Sequence, residues 1–428
     1  ALAAVKAHRF HPGSRVLQFA SPGFDASVCE VFSTLLAGAC LVLASRDELL
    51  PDLPLRELLE KQAITAVTLT PSVLAQLSEE GLPRLETLIS AGEALPPAVA
   101  ARWSKGRTLL NAYGPTEVTI CASISGPVEP EHITIGRPFP NVELYVLDGQ
   151  LQPVPVGAPG ELYVGGMGLA RGYLGRPELT AERFIPHPFG TEPGARLYRT
   201  GDRVRYLADG QVEYLGRADE QVKLRGFRIE PGEIEAALAR QSTVREATVL
   251  VREDSPGQPR LVAYVVPVEG QGVDAAGLRS ALKDQLPEYM VPAAFVALPA
   301  LPLTSSGKVD RKALPVPEGV RPDAGTPFVA PRSELEQQLT AMWSELLGIE
   351  RIGIHDNFFE LGGHSLLATQ LVSRIRPTFE VELDLGRLFA QPTIAALALQ
   401  IMDAQASQVD DEELEQLMAA LEADGEPT

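Results

Sequence analysis

The amino-acid sequence predicts a multidomain chain with three folded regions: a large α/β region with a β-rich section, a small α+β region, and a four-helix bundle. Strand-like and helix-like segments alternate through most of the first 215 residues, as in parallel βαβ units. A Pro-rich polar segment then separates a purely helical end from the rest. The expected boundaries are residues 1–218 for the large region, 219–318 for the small region, 319–333 for a linker, 334–403 for the bundle, and 404–428 for an acidic tail or interdomain linker.

Composition narrows the function classes. The chain has 428 residues and a formal net charge of −19, which argues against nucleic-acid and membrane partners. The three cysteines, Cys29, Cys40 and Cys121, lie in apolar runs without metal-type spacing. They therefore predict buried thiols in a reducing compartment and a cytoplasmic protein. The longest apolar run is too short to span a bilayer.

In the large region, strand-like runs such as AVTLT, LETLISA and TLLNAYG precede helical segments. Ligands bind at the carboxyl ends of strands in such sheets, so the loop NAYGPTE after the last run is informative. Gly114 and Pro115 favour a tight turn there. Tyr113 can stack on a flat base, Thr116 can bond a phosphate oxygen, and Glu117 can bind a hard cation. An incidental surface loop is the alternative. Residues 136 to 200 then alternate apolar and polar residues, which predicts antiparallel strands.

The stretch from Tyr198 to Glu235 predicts a strand meander that leads into a helix at PGEIEAAL. Asp202 and Arg217 are expected at strand ends, where they can face a pocket, and Asp219 in a loop between strands. Downstream, REATVLVRED and RLVAYVVPV predict strands, and PAAFVALPALPL predicts a further strand pair. The turn SSGK presents Lys308 on a flexible tip, where a merely solvated lysine is the alternative.

The helical end contains one serine of interest. Ser365 follows the Gly362–Gly363 pair in DNFFELGGHSLLA and opens a predicted helix. A helix cap would explain a serine there but not the residues before it. The tail DDEELEQLMAALEADGEPT predicts a solvated acidic segment rather than a docking helix.

Several motifs occur in one order: FDAS, NAYGPTE, GELYVGGMGLARGY, YRTGD, GRADEQVKLRGFRIEPGEIE, LPEYMVP and SSGKVDRKAL. Together they resemble the adenylation domain of nonribosomal peptide synthetases, and DNFFELGGHSLLA resembles the peptidyl carrier protein that follows it in such modules. The resemblance covers nearly the whole chain. It implies that a carboxylate is joined to the α-phosphate of ATP with release of pyrophosphate, and that the acyl group then passes to a phosphopantetheine thiol.

The resemblance also implies residue roles. The nucleotide site would comprise Asn111 and Tyr113 at adenine, Asp202 at the ribose, Thr116 at the α-phosphate, Arg217 nearby, and Glu117 at Mg²⁺. Lys308 would offset negative charge in the transition state. Ser365 would carry the phosphopantetheine arm, and Asp219 would be the hinge between the large and small regions of the adenylation domain. The implied partners are an amino acid, a phosphopantetheinyl transferase, and neighbouring condensation or thioesterase domains.

The residues matching the family's substrate pocket form a mostly apolar set with several small members: Asp25, Ala26, Cys29, Thr68, Ile89, Ala91, Ala112, Ile120, Cys121 and Lys308. Asp25 would bind the α-ammonium group of the substrate. A roomy wall without a charged partner for the side chain predicts an aromatic amino acid, phenylalanine or tyrosine first.

The chain departs from the family in one respect. No stretch upstream of FDAS matches the family's Gly/Ser/Thr-rich phosphate loop that ends in Lys. We therefore expect residues 1–428 alone to adenylate poorly or not at all. Two alternatives stay open: an acyl- or aryl-coenzyme A ligase, against which Asp25 argues, and a carrier or interaction module with a non-functional adenylation remnant.

Overall fold

The structure is a computed structural model and describes residues 2–51, 53–219, 221–224, 226–254, 259–304, 309–317, 328–349, 351–359, 361, 363, 365–381, 383 and 385–406. The chain forms two compact units, Ala1–Pro231 and Gly232–Thr428. The predicted boundary between residues 218 and 219 stays a prediction. Most of the predicted linker and almost all of the predicted tail lie outside the described residues.

The first unit contains a seven-stranded sheet in the order β2-β1-β3-β4-β5-β6-β7. Its strands are β1 (Arg15–Leu17), β2 (Cys40–Val42), β3 (Ala66–Leu69), β4 (Thr87–Ala91), β5 (Thr108–Tyr113), β6 (Ser123–Ile124) and β7 (Arg137–Pro138). Helix α1 (Leu2–Ala7) precedes β1, and the helices between the strands are α2 (Ala26–Leu36), α3 (Leu53–Lys61), α4 (Pro71–Gln76) and α5 (Pro97–Trp103). β1 to β5 pair in parallel, which confirms the predicted α/β alternation.

The start of α4 and its contact with α5 follow from the local sequence. The Thr70 hydroxyl accepts a hydrogen bond from the Val73 amide, and Pro71 occupies the first turn of α4. Trp103 on α5 is fully buried in the apolar core, and its indole N–H donates to the Leu74 carbonyl at 2.9 Å. The indole therefore joins α4 to α5 without an unpaired polar group.

The β-rich section of the first unit forms a second sheet in the order β10-β11-β9-β8, with β12 paired to β11. Its elements are β8 (Val142–Leu147), β9 (Gly160–Gly166), α6 (Pro177–Arg183), β10 (Phe184–Pro186), β11 (Arg196–Tyr206) and β12 (Val212–Arg217). These strands pair antiparallel, as predicted. A two-stranded hairpin follows, made of β13 (Val222–Leu224) and β14 (Phe227–Ile229).

One strand expectation was wrong. Asp202 was expected at a strand end, but it lies inside the eleven-residue β11. Gly201 beside it has φ +77°, a left-handed value that glycine adopts without steric cost, and the register with β12 shifts at Arg203/Val204. The irregularity lets the strand continue while Asp202 pairs directly with Arg217 at the end of β12.

The second unit contains a sheet of β15 (Val244–Arg252), β16 (Arg260–Pro267) and β17 (Ala294–Ala297), together with α7 (Pro231–Ala239) and α8 (Ala275–Lys283). This arrangement agrees with the predicted small α+β region. The expected strand pair near residue 300 was wrong, because β17 is a single strand that pairs in parallel with β16. The apolar run after β17 is instead partly buried against a cluster built around Val262, Tyr264 and Leu314.

The described residues then form the helices α9 (Glu334–Leu347), α10 (Ser365–Phe379), α11 (Leu385–Ala390) and α12 (Ile394–Ala406). The Ser333 hydroxyl caps α9 by accepting from the Glu336 amide at 3.2 Å. Trp343 on α9 is fully buried with its ring centre 4.8 Å from that of Phe358. The arrangement of these helices as a bundle stays a prediction. Among the described residues, no helix combines the length and apolarity that a membrane crossing requires.

Candidate functional site

A cavity of about 440 Å³ opens at the carboxyl ends of β1, β3, β4 and β5. All nine described members of the predicted substrate pocket line it: Asp25, Ala26, Cys29, Thr68, Ile89, Ala91, Ala112, Ile120 and Cys121. Thr116, Tyr113, Asp202 and Arg217 line the same cavity. Residues that are far apart in sequence therefore converge where a parallel sheet places its ligands.

Asp25 occupies an unusual position in this cavity. It precedes α2 at the N-cap position, yet its side chain makes no capping hydrogen bond. Its Oδ2 atom is buried and has no hydrogen-bond partner within the described part of the chain. A buried carboxylate oxygen without a partner is costly, so the site is suited to a cationic ligand group that would supply the missing donor.

Another part of the cavity wall, at Ile120, has a strained backbone. Thr119 and Ile120 have φ values of +66° and +74°, which β-branched residues rarely adopt. Gly114 packs against this turn so closely that a Cβ atom there would lie 2.0 Å from the Ile120 carbonyl oxygen. The glycine of the NAYGPTE loop is therefore required by its contact with a residue of the cavity wall, a reason that the sequence did not reveal.

A buried polar network borders the cavity around Asp202, which is 2% exposed. The Tyr113 hydroxyl donates to its Oδ2, and Arg217 Nη1 lies 2.9 Å from its Oδ1. Arg217 also donates to both carboxylate oxygens of Asp219 at 2.6 Å. Burial and the Asp202 charge raise the pKa of Tyr113 well above its usual value. Burial opposes ionisation of Asp219, but its bonds to Arg217 hold its pKa below the usual value.

Glu117 follows Tyr113 on a short 3₁₀ turn and is fully engaged by hydrogen-bond donors. Tyr173 and Tyr198 donate to its Oε1 at 2.7 and 2.8 Å, and Arg228 Nη1 lies 2.9 Å from its Oε2. Burial alone would raise the pKa of Glu117, but the Arg228 charge and the two hydroxyls lower it. In this conformation the Glu117 carboxylate does not fit Mg²⁺. Both of its oxygens already accept hydrogen bonds, and the Arg228 guanidinium occupies the position of a cation.

The β13–β14 hairpin packs beside the cavity within the first unit. The Lys223 ammonium lies 5.5 Å from the centre of the Tyr113 ring, and burial lowers the pKa of this lysine. Phe227 packs edge-to-face on Phe24 with ring centres 5.4 Å apart, and the Gly226 amide donates to the Glu93 carboxylate. The Tyr113 ring that was expected to stack on a base thus has a cation near it in this conformation.

The remaining predicted residues, Asn111, Lys308 and Ser365, do not line this cavity in the part of the chain that the structure describes. Asn111 is buried and lines a smaller neighbouring cavity, where its amide donates to the Thr134 carbonyl at 2.9 Å. Lys308 lies outside the described residues. Ser365 is the first residue of α10, as expected, but its side chain is outside the description. Sequence reasoning missed Arg228, whose contact with Glu117 joins positions 111 residues apart and leaves no local signal.

Comparison with known proteins assigns the segments of the chain. Residues 1–174 match the family of AMP-binding enzymes, residues 233–308 the AMP-binding enzyme C-terminal domain, and residues 337–401 the phosphopantetheine attachment site. The chain is 50% identical over 401 residues to chondramide synthase cmdD of Chondromyces crocatus. The aligned region covers 92% of this chain and 10% of that protein. The chain belongs to the nonribosomal peptide synthetases. Its matched segments are those of an adenylation domain, which belongs to the ATP-dependent adenylate-forming ligases, followed by a carrier domain.

Other relatives of this synthetase segment agree. Tyrocidine synthase 3 of Brevibacillus parabrevis is 49% identical over 405 residues, covering 92% of this chain and 6% of that protein. The solved structure of holo-PA1221, described as an NRPS protein containing adenylation and PCP domains bound to vinylsulfonamide inhibitor, has a TM-score of 0.71 and 31% identity and covers 86% of this chain and 62% of that one. The Vibrio cholerae adenylation domain AlmE, solved with glycyl-adenosine-5'-phosphate, has a TM-score of 0.64 and 28% identity. The match covers 72% of this chain and 60% of that one. The chain thus spans only a small fraction of the length of the two synthases.

Proposed function

We propose that this segment activates an aromatic amino acid, phenylalanine or tyrosine, as an aminoacyl-AMP and loads it on its own carrier domain. The observation that carries the proposal is the cavity at the strand ends, which combines an apolar wall with a carboxylate oxygen of Asp25 that has no partner among the described residues. The carboxylate would bind the α-ammonium of the substrate. The small residues Ala91 and Ala112 leave room for an aromatic ring. An acyl- or aryl-coenzyme A ligase would give Asp25 no cation to bind.

The polar side of the cavity suits the nucleotide. Asp202 would accept hydrogen bonds from the ribose hydroxyls, Tyr113 would stack on adenine, and Thr116 would contact the α-phosphate. Arg217 holds the Asp202 carboxylate at 2.9 Å and so fixes its orientation. The substrate carboxylate would attack the α-phosphorus of ATP, forming the acyl-phosphate bond and releasing pyrophosphate. Lys308 would offset the negative charge that develops there.

In the second half-reaction Ser365 would hold the phosphopantetheine arm, which would supply a thiol nucleophile for transfer of the aminoacyl group, with AMP as the leaving group and the thiol proton passing to solvent. Ser365 is the first residue of α10, and we propose that a phosphopantetheinyl transferase attaches the arm there. Neighbouring condensation or thioesterase domains would then consume the thioester.

Glu117 is proposed as the Mg²⁺ ligand only in a state in which Arg228 has withdrawn from it. Arg228 lies on β14, in the hairpin that follows the loop containing Asp219. Rotation about Asp219 would therefore be able to move Arg228 and Lys223 together, which supports the proposed hinge. Bound Mg²⁺ would supply positive charge at the phosphate oxygens.

The test is exchange of labelled pyrophosphate into ATP by the complete module across an amino-acid panel. We expect the highest kcat/KM with phenylalanine or tyrosine, and Asp25→Asn should reduce exchange by about 100-fold or more, the scale seen when one charged transition-state or substrate contact is lost. Cys40→Ser, at an exposed position away from the cavity, is the matched control. A preference for an acidic or basic amino acid would refute the substrate assignment.

Loading is tested separately by intact mass. Ser365→Ala should retain pyrophosphate exchange but accept no phosphopantetheine arm and hence no aminoacyl group. An arm on the Ser365→Ala protein would place the attachment site elsewhere. A wild-type module that takes up the arm but never the aminoacyl group would instead favour the carrier-only alternative.

A further inference from the structure

The floor of the cavity brings together three side chains from separate elements. His8 lies in the turn after α1, Cys29 on α2, and Cys121 in the loop before β6. One ring nitrogen of His8 and the two sulfur atoms all lie within 4.8 Å of one another. All three residues line the same cavity. The spacing of the cysteines in sequence predicted no metal site, and the fold alone creates this cluster.

His8 is suited to act as a ligand. His8 is only 3% exposed, and its Nε2 atom has no hydrogen-bond partner in the part of the chain that the structure describes. A neutral imidazole with an unused nitrogen is the form that binds transition metals, whereas a purely structural histidine would be expected to have both nitrogens paired.

The two thiols form the rest of the donor set. A hydrogen bond from the Cys121 thiol lowers the pKa of Cys29 to about 7, while the same contact and burial raise the pKa of Cys121 well above its usual value. Asp25 acts on both cysteines through its negative charge, and Ser33 Oγ lies 3.7 Å from Cys29 Sγ. The Asp25 charge thus favours a cation at the cluster.

We propose that His8, Cys29 and Cys121 form a binding site for a thiophilic divalent cation of the Zn²⁺ or Cd²⁺ class. Sulfur and imidazole donors suit these ions, and one nitrogen with two sulfurs leaves a fourth tetrahedral position for water from the cavity. Metal–sulfur distances near 2.3 Å and metal–nitrogen distances near 2.0 Å require the donors to approach by roughly 1 Å, which side-chain rotation supplies. Binding releases the protons of both thiols to solvent.

The site is independent of the proposed adenylation activity, but a bound cation would occupy the floor of the cavity proposed for the amino-acid side chain. Such an ion and a large side chain would compete. The metal would therefore act as an inhibitor of substrate binding rather than as a participant in the reaction.

The test is a Cd²⁺ titration of the reduced 428-residue chain, followed by the ultraviolet thiolate-to-Cd²⁺ charge-transfer absorption and its reversal by a chelator. We expect one equivalent to bind with this absorption. Cys29→Ser and Cys121→Ser should each remove the high-affinity phase, and His8→Ala should raise the Kd by about tenfold or more, since even changes outside the ligands cost about 10–100-fold. Cys40→Ser keeps the same cysteine count as the other two serine variants and should bind like the wild type.

Three results would overturn the proposal: no charge-transfer absorption in the wild type, absorption that is lost with Cys40→Ser, or a Kd unchanged by His8→Ala. Near-ultraviolet circular dichroism identifies any variant that fails to fold. X-ray absorption of the Cd²⁺-loaded wild type needs no variant at all. A first shell of two sulfurs and one or more nitrogen or oxygen atoms is expected, and a shell of oxygen alone would refute the site.

Discussion

Replacing Arg217 with methionine tests whether the buried network around Asp202 holds the first unit together. The Arg217 side chain is 9% exposed and that of Asp202 3%, so the pair lies out of contact with most solvent. Methionine keeps much of the length and removes the charge. The Asp202 carboxylate then retains the Tyr113 hydroxyl and loses its counter-ion. Removal of one partner of a buried pair costs about 3–5 kcal/mol, because the remaining charge stays desolvated.

Two features place the expected loss of unfolding free energy near the lower end of that range. The Tyr113 hydroxyl continues to solvate the Asp202 charge, and the second carboxylate at Arg217, Asp219, is 28% exposed and can be rehydrated. We therefore expect Arg217→Met to reduce the free energy of unfolding of the first unit by about 3 kcal/mol. The control is Arg205→Met, which removes a partly exposed pair with Glu213 and should cost at most about 1 kcal/mol.

Urea denaturation followed by tryptophan fluorescence measures this change. The chain contains two tryptophans, one in each compact unit, so a Trp343→Phe background leaves Trp103 as the reporter of the first unit. Trp103 is fully buried and should respond to unfolding. The reasoning would be refuted if Arg217→Met reduced the free energy of unfolding by less than about 1 kcal/mol, or if the two arginine variants reduced it equally. Either result would mean that losing the buried pair costs no more than losing the partly exposed pair.

Further predictions use the same reporter or the complete module. Burial raises the pKa of Glu30 to about 8, so this carboxyl is neutral in the folded state while the unfolded chain ionises above about pH 4.5. Relative to Glu30→Gln, the wild type should therefore lose roughly 1.4 kcal/mol of stability per pH unit between about pH 5 and 7.5, and parallel pH profiles would contradict this. Gly114→Ala should destabilise the first unit by about 3 kcal/mol or more, because its Cβ would meet the Ile120 carbonyl, whereas Gly126→Ala has open space around it and should change stability by less than about 1 kcal/mol. Asp219→Pro should slow the half-reactions of the module more than Asp219→Ala, which also loses the Arg217 contact but leaves φ free, and equal rates for the two variants would exclude Asp219 as the pivot.

The regions of the protein with strong local patterns could be predicted from the amino-acid sequence. The alternation of strands and helices that forms the seven-stranded sheet, the antiparallel β-rich section and the helix that starts at Ser365 all follow from periodicity and turn chemistry within short windows. The family resemblance named the substrate-pocket residues, and their meeting at one edge of the sheet agrees with the placement of ligands at the carboxyl ends of parallel strands. These features depend on neighbours in sequence, which are visible in the chain itself.

The charges and donors of the site could not be predicted in this way. Arg228 meets Glu117 across 111 positions, and His8 meets Cys29 and Cys121 from three different elements. The lack of a partner for the Asp25 oxygen within the described ranges likewise cannot be seen until the surrounding side chains are in place. Such contacts depend on how distant segments pack, and the free energy of a buried charge depends on every group around it. The family and the pocket residues could therefore be named from the sequence, whereas only the packed fold shows which pocket groups are paired and which have no partner among the described residues.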